Sequence, residues 1–254
     1  MIALQTEKLT KIYGGKRDAN SYKALNGIDF KIHEGEFVGI MGPSGSGKTT
    51  LLNVLSGIDK ATAGNVEISG VKLDSMNNDK LALFRRKSIG FVFQDFNLLN
   101  SLTLKENIML PMILDKKGAD AMEKVAMDYM KLFGIEHISE KYPYNVSGGE
   151  QQRVAVARAL VNKPAIVFAD EPTGNLDSKS SNGIMNCFKK MNEEKNVTVL
   201  MVTHDTFAAS FCRRIIFIKD GCVHSEIVRR GQQKEFFNEI LDCLSIIGGG
   251  IYDI

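Results

Sequence analysis

Gly42-Pro43-Ser44-Gly45-Ser46-Gly47-Lys48-Thr49 decides the fold of this chain. It follows an apolar run, Phe37-Val38-Gly39-Ile40-Met41, and leads into Thr50-Leu51-Leu52-Asn53-Val54-Leu55. Strand, glycine-rich turn and helix with the spacing G-x-x-x-x-G-K-T make a phosphate-binding loop. Glycines let the backbone wrap an anion with its N–H groups pointing inward. The helix that follows begins with unpaired N–H groups and the positive end of its dipole, so a phosphate is favoured there. Lys48 can reach the outer phosphates and Thr49 offers a hydroxyl to Mg²⁺, with Thr50 completing the nucleotide-binding set.

A second element is Ile166-Val167-Phe168-Ala169-Asp170-Glu171, an apolar strand that delivers two adjacent carboxylates to its C-terminal end. In an open α/β sheet ligands bind at that end. Period-two alternation sends the two side chains to different sides. Asp170 is assigned to the metal and Glu171 to the attacking water, as general base or water-orienting group. On its own such a pair marks only a strand leaving the core. Beside a phosphate-binding loop the catalytic reading prevails.

A third element is Val146-Ser147-Gly148-Gly149-Glu150-Gln151-Gln152-Arg153, leading into Val154-Ala155-Val156-Ala157-Arg158. Ser147 and Glu150 have the spacing of a capping box, so one reading is simply a well-capped helix. Two glycines in the first turn weaken a helix. They make sense where backbone must approach a ligand, which points to a second anion site at a helix start.

The 254 residues carry a net charge of +2, with 44% hydrophobic and 24% charged residues. That balance suits a globular domain with a substantial core and gives no electrostatic case for nucleic acid or acidic lipid. Cys187, Cys212, Cys222 and Cys243 form no C-x-x-C pair and read as reduced thiols. No apolar run reaches the ~18–20 residues that span a bilayer. Met1–Gln5 resembles a strand more than a targeting peptide.

Along the chain, Ile28, Phe30 and Ile32 alternate with polar residues as on a half-buried strand. A polar, basic loop is expected from Gly14 to Lys23. Ile89–Phe93 reads as a buried strand ending in Gln94. Met122, Val125, Ala126, Tyr129, Met130 and Phe133 repeat at helix spacing up to Gly134. Continuous apolar runs at 166–169 and 197–202 suit parallel strands covered on both faces. Ile215–Ile218, Asp220-Gly221 and Val223 onward read as a hairpin. Phe236, Phe237, Ile240, Leu241 and Leu244 are expected on one helical stripe.

The phosphate-binding loop, Gln94, Ser147-Gly148-Gly149, Asp170-Glu171, Asn175-Leu176-Asp177 and His204 follow one another as in an ABC transporter ATPase, which the whole chain resembles. The resemblance implies an α/β P-loop NTPase of the ABC ATPase fold. Residues 1–94 and 163–228 would form a RecA-like nucleotide-binding core with an antiparallel β subdomain. Residues 95–162 would form an inserted α-helical subdomain with the signature, and 229–254 a C-terminal helical tail. It further implies ATP and Mg²⁺ as ligands and a head-to-tail homodimer with ATP between one copy's P-loop and the other's signature. Gln94 would ligate Mg²⁺ or water, His204 would hold the γ-phosphate and Glu171, and Asp177 would communicate across the dimer. Tyr13 resembles the aromatic that stacks on adenine. His33, His137 and His224 read as structural. Val146 and Glu150 stand where many members have Leu and Gln.

Gly174-Asn175-Leu176-Asp177 resembles the branch of macrolide-exporter, lipoprotein-release and cell-division ATPases. Phe84-Arg85-Arg86, Phe91–Leu99, Glu106-Asn107-Ile108 and Gly249-Gly250-Ile251-Tyr252-Asp253 look like the ATPases of bacitracin-type peptide-resistance transporters. The implied partner is a permease with a large extracytoplasmic domain, and through it a sensor kinase. The subunit would lie in the cytoplasm against the inner face of the membrane. A groove beside Gln94, near Phe91, Phe93, Phe96, Leu98, Leu99 and Leu102, is the expected dock. A nucleic-acid ABC ATPase would normally carry a long coiled-coil insertion, and no sustained heptad block is present. An ATP-gated switch with negligible turnover is disfavoured by Glu171.

Overall fold

The computed structural model describes residues 1–14 and 21–247. Most of the basic loop and the Gly249–Asp253 ending lie outside the described residues. Strands β1 (Ile2–Tyr13), β2 (Tyr22–His33), β4 (Ala63–Ile68) and β5 (Val71–Lys72) form an antiparallel sheet in the order β2-β1-β4-β5. Strands β3 (Phe37–Met41), β6 (Ile89–Val92), β7 (Ile166–Asp170), β8 (Val199–Val202), β9 (Arg214–Lys219) and β10 (Cys222–Val228) form a second sheet, ordered β10-β9-β3-β8-β7-β6. Its strands run parallel except β10, which closes the expected hairpin on β9.

Alternation along the central strands builds two cores. Val38, Ile40, Phe168, Leu200, Val202, Ile216 and Ile218 face helix α1 (Lys48–Leu55) and the antiparallel sheet, whose Ile28, Phe30 and Ile32 point inward. The alternate residues Phe37, Met41, Val167, Ala169, Val199 and Met201 join the other core. Helices α5 (Gly148–Leu160) and α6 (Ser178–Lys195) supply its far side, with α3 (Leu104–Leu114) and α4 (Ala119–Leu132) packed on α5. Burial on both faces explains why β3, β7 and β8 have no polar alternation.

Two expectations need correction. Strand β6 is only half-buried, because it is the sheet edge and pairs with β7 alone. Phe91 and Phe93, both half-buried, stack there at 4.1 Å. In the tail helix α8 (Gln233–Ile247), Phe236, Ile240 and Ile247 are buried while Leu241 is exposed. At ~100° per residue, position 241 turns away from the face that holds 236, 240 and 247. Lys219 Nζ donates to the Ile247 carbonyl at 2.8 Å and ties that helix end to β9.

All four cysteines are free. Among the described residues no helix is long and apolar enough to cross a membrane. A cavity of about 660 Å³, lined by Tyr129, Lys163 and Asn196, lies before the starts of β7 and β8. Asp170 and Glu171 stand at the other end of β7, where Glu171, Thr173 and His204 line a cavity of about 640 Å³.

Candidate functional site

Strand β3 runs straight into the phosphate-binding loop, and Gly47 caps α1 with a left-handed φ of 98°. A side chain at Gly47 would collide with the Ala24 carbonyl, and one at Gly42 with that of Ile218. Only glycine lets the loop pack this tightly. Lys48 Nζ donates to the carbonyls of Gly42 (2.9 Å) and Pro43 (2.8 Å), so its ammonium lies within the loop's own curve. Among the described residues the buried Ser46 hydroxyl has no partner. Pro43, Ser44, Gly45 and Thr49 are exposed, and Thr50 is half-buried.

Asp170 ends β7, but the alternation stops there. Glu171 takes a left-handed φ of 45°. Its separation from Asp170 therefore comes from a turn and not from strand pleat. Its N–H still donates to the Val202 carbonyl at 2.9 Å. Glu171 Oε1 lies 2.8 Å from His204 Nδ1, and Oε2 accepts from the His204 N–H at 3.3 Å. The Glu171 side chain is 15% exposed and that of His204 74%, so an outward imidazole grips an inward carboxylate.

Burial, then the neighbouring Glu171, pushes the Asp170 carboxyl up, against the pull of Lys48. Burial likewise lowers the Lys48 ammonium, opposed by Glu171 and Asp170. One half-buried cation and two carboxylates thus share one field. Asp170, the Thr49 hydroxyl and the Gln94 amide oxygen would offer the hard oxygen donors that Mg²⁺ prefers. A carboxylate held half-buried beside a like charge fits that use.

Gln94 is exposed, and its Nε2 donates to Asn175 Oδ1 at 3.2 Å. Asn175 Nδ2 returns to the Gln94 carbonyl and to Asp95 Oδ1. Gly174 lies so close that an added Cβ would stand 2.9 Å from Gln94 Nε2. The segment after Glu171 is therefore stitched to Gln94.

At α5 the capping box forms. Glu150 Oε2 accepts from the Ser147 N–H (2.8 Å) and hydroxyl (2.7 Å), and Ser147 Oγ accepts from the Glu150 N–H. Gly149 has a reason for lacking a side chain within this chain, since a Cβ would meet Ser180 Oγ at 2.9 Å. A Cβ at Gly148 would stand 3.3 Å from Leu176 and 3.4 Å from Phe96. Asp177 caps α6, accepting from the Lys179 and Ser180 N–H groups and the Ser180 hydroxyl. His137 is exposed, with Nε2 4.0 Å from Glu150 Oε1. Loop and signature have different neighbours: Ala24, Tyr22 and Ile218 for one, Phe96, Leu176 and Ser180 for the other.

Tyr13 pairs across the ladder with Tyr22, whose hydroxyl donates to the Gly45 carbonyl at 3.0 Å. The Tyr13 hydroxyl bonds Asp59 at 2.9 Å, and Lys11 Nζ lies 4.8 Å over its ring.

Sequence reasoning gave no role to Gln152, Arg158, Tyr22 or Asn175 itself. Gln152 is fully buried and donates to the carbonyls of Pro172 (2.8 Å) and Phe93 (3.2 Å). It ties the signature helix to the residues flanking Gln94 and Glu171. Arg158 donates to the Phe96 and Asn97 carbonyls, and burial pushes its guanidinium down to about 10. For Gln152 and Arg158 the available signal was a polar side chain on the inward face of α5.

A P-loop nucleoside triphosphatase with a second capped helix start is the class that this fold and site define. The chain belongs to the ABC transporter family, whose model matches residues 25–174. It is an ATP-binding and ATP-hydrolysing ABC transporter subunit that uses Mg²⁺. An uncharacterised ABC transporter ATP-binding protein of Bacillus subtilis, YvcR, is 52% identical over 100% of this chain and 98% of its own. The bacitracin export ATP-binding protein BceA of Halalkalibacterium halodurans is 44% identical over 98% of both. The dimeric cassette MJ0796 of Methanocaldococcus jannaschii, in a post-hydrolysis state with ADP and Pi, superposes with a TM-score of 0.81. It is 45% identical, over 90% of this chain and 100% of that one. Relatives named for macrolide export and lipoprotein release also match.

Proposed function

We propose that two copies close head to tail on two ATP molecules and so drive a membrane permease that protects against cell-envelope-active peptides of the bacitracin type. The composite dimer is supported most by one observation: the phosphate-binding loop and the Ser147 helix start keep separate neighbours within the chain. Each offers half of an anion site. The likeness to a cassette described as dimeric points the same way.

Within the closed pair, the loop N–H groups and Lys48 bind the β- and γ-phosphates, and Tyr13 stacks on the base. Asp170, Thr49 and Gln94 would hold Mg²⁺, which would supply positive charge against the phosphates. Glu171, oriented by the His204 imidazole at 2.8 Å, takes a proton from or aligns the attacking water. Ser147 and the first turn of α5 bind the γ-phosphate from the opposite copy. Losing that phosphate removes the shared contact, and differential affinity for the closed state converts hydrolysis into movement.

The edge strand β6 and the Gln94 segment form the permease-facing groove, with half-buried Phe93 and Phe96 and exposed Leu99. The permease carries a large extracytoplasmic domain, a sensor kinase reads its state, and this subunit lies on the inner membrane face. The peptide-resistance reading draws on the BceA relative and the stretches around Arg85 and Gln94. A lipoprotein-release role is the competing one.

The test has two parts. Glu171→Gln keeps the shape of the side chain while removing its charge. Phosphate release is expected to fall ~10²–10⁴-fold, and MgATP to convert monomer to dimer in sedimentation. Wild-type turnover would reject the assigned base. Deleting the gene is expected to raise bacitracin sensitivity; unchanged sensitivity with misplaced lipoproteins would transfer the protein to the competing role.

A further inference from the structure

Resting on the reading that two copies close on ATP, we propose that Glu150 restrains closure. Its carboxylate competes with the γ-phosphate for the start of the signature helix, so the ATP-bound dimer is looser than glutamine at this position would make it.

Ser147 brings two donors to that helix start, its N–H and its hydroxyl. Both end on Glu150 Oε2, at 2.8 and 2.7 Å. A hydroxyl has one proton, so an incoming phosphate oxygen must displace a carboxylate oxygen to receive it. The Ser147 side-chain bond, then its backbone bond, hold the Glu150 carboxyl below the usual range, and His137 and Lys141 act in the same direction. The residue is therefore an anion at neutral pH.

A charged acceptor holds a hydroxyl more firmly than a neutral amide does. It also places a negative charge where a second anion must arrive. Glutamine satisfies the same capping box, so the helix start survives the exchange. The exposed His137 imidazole stands 4.0 Å from Glu150 Oε1, too far for a hydrogen bond.

One charge at a helix N-terminus changes anion affinity by about fivefold at low salt. A closed dimer has two such sites, so the exchange changes its dissociation constant by about 25-fold. The gap narrows as salt screens the surface charge.

The experiment compares Glu171→Gln with the double variant Glu150→Gln/Glu171→Gln. MgATP-driven dimerisation is read by sedimentation velocity at about 50 mM and about 300 mM salt, with nucleotide-free thermal melting as a control. The double variant is expected to dimerise about 25-fold more tightly at the lower salt, by a smaller margin at the higher, with a melting temperature lowered by no more than ~2–4 °C. Equal or weaker dimerisation by the double variant overturns the role given to Glu150 and leaves the composite site standing. Failure of Glu171→Gln to dimerise while it still binds ATP overturns the composite site, and the inference with it.

Discussion

Gln152→Glu replaces one NH₂ by one oxygen and changes almost no volume. The residue is fully buried, and Nε2 is the donor to both the Pro172 and Phe93 carbonyls. Its Oε1 is buried without a partner. A carboxylate there would face two carbonyl oxygens with no donor, so the group takes up a proton. At pH 7.5, protonating a glutamate whose unfolded pKa is about 4.3 costs about 4.4 kcal/mol. The acid form donates one bond where the amide donated two, which costs about 1 kcal/mol more. Destabilisation is then about 5 kcal/mol at pH 7.5 and about 2 kcal/mol at pH 5.

The sign follows from the raised folded pKa. The penalty is absent below the unfolded pKa and grows as pH rises toward the folded one. For a chain of this size ~1 kcal/mol moves the melting temperature by ~2–4 °C. The variant is expected to melt ~10–20 °C below wild type at pH 7.5 and only ~4–8 °C below at pH 5. Differential scanning calorimetry at the two pH values measures this. A melting temperature within ~2 °C of wild type at pH 7.5 would refute the reasoning. It would mean that Gln152 does not bind the Gln94 and Glu171 segments together.

Lys48→Ala is expected to weaken MgATP binding at least ~100-fold in titration calorimetry without lowering the melting temperature, because the ammonium bonds only loop carbonyls in the nucleotide-free chain. Unaltered affinity would remove Lys48 from the phosphate site. Phe236→Ala is expected to cost ~3–5 kcal/mol in denaturant unfolding, since that ring is 1% exposed in the main core. A loss under ~1 kcal/mol would mean that α8 is only loosely docked.

Much of the fold was legible because it depends on short intervals along the chain. The runs at 166–169 and 197–202 became β7 and β8, and Gly57 and Gly134 follow the ends of α1 and α4. Edge strand β6 was misjudged because burial depends on what lies beside a strand, and nothing in Ile89–Phe93 says that β7 is its sole neighbour. The stripe on α8 was drawn too wide because an apolar residue at the margin of a helix face, as Leu241 is, can lie toward core or solvent.

By itself, the sequence determined the phosphate cradle, the two carboxylates at a strand end, the capped Ser147 helix and the family. Those features need only local spacing, and backbone geometry fixes what such spacings mean. Tertiary structure decided how the pieces meet. Gln94 bonds Asn175 across 81 residues and His204 grips Glu171 across 33, while Gln152 reaches both segments from the interior. It also turned Glu171 out of the strand by a left-handed backbone angle. Contacts between distant segments arise from packing two sheets and a helical layer around shared cores, and no local interval encodes them.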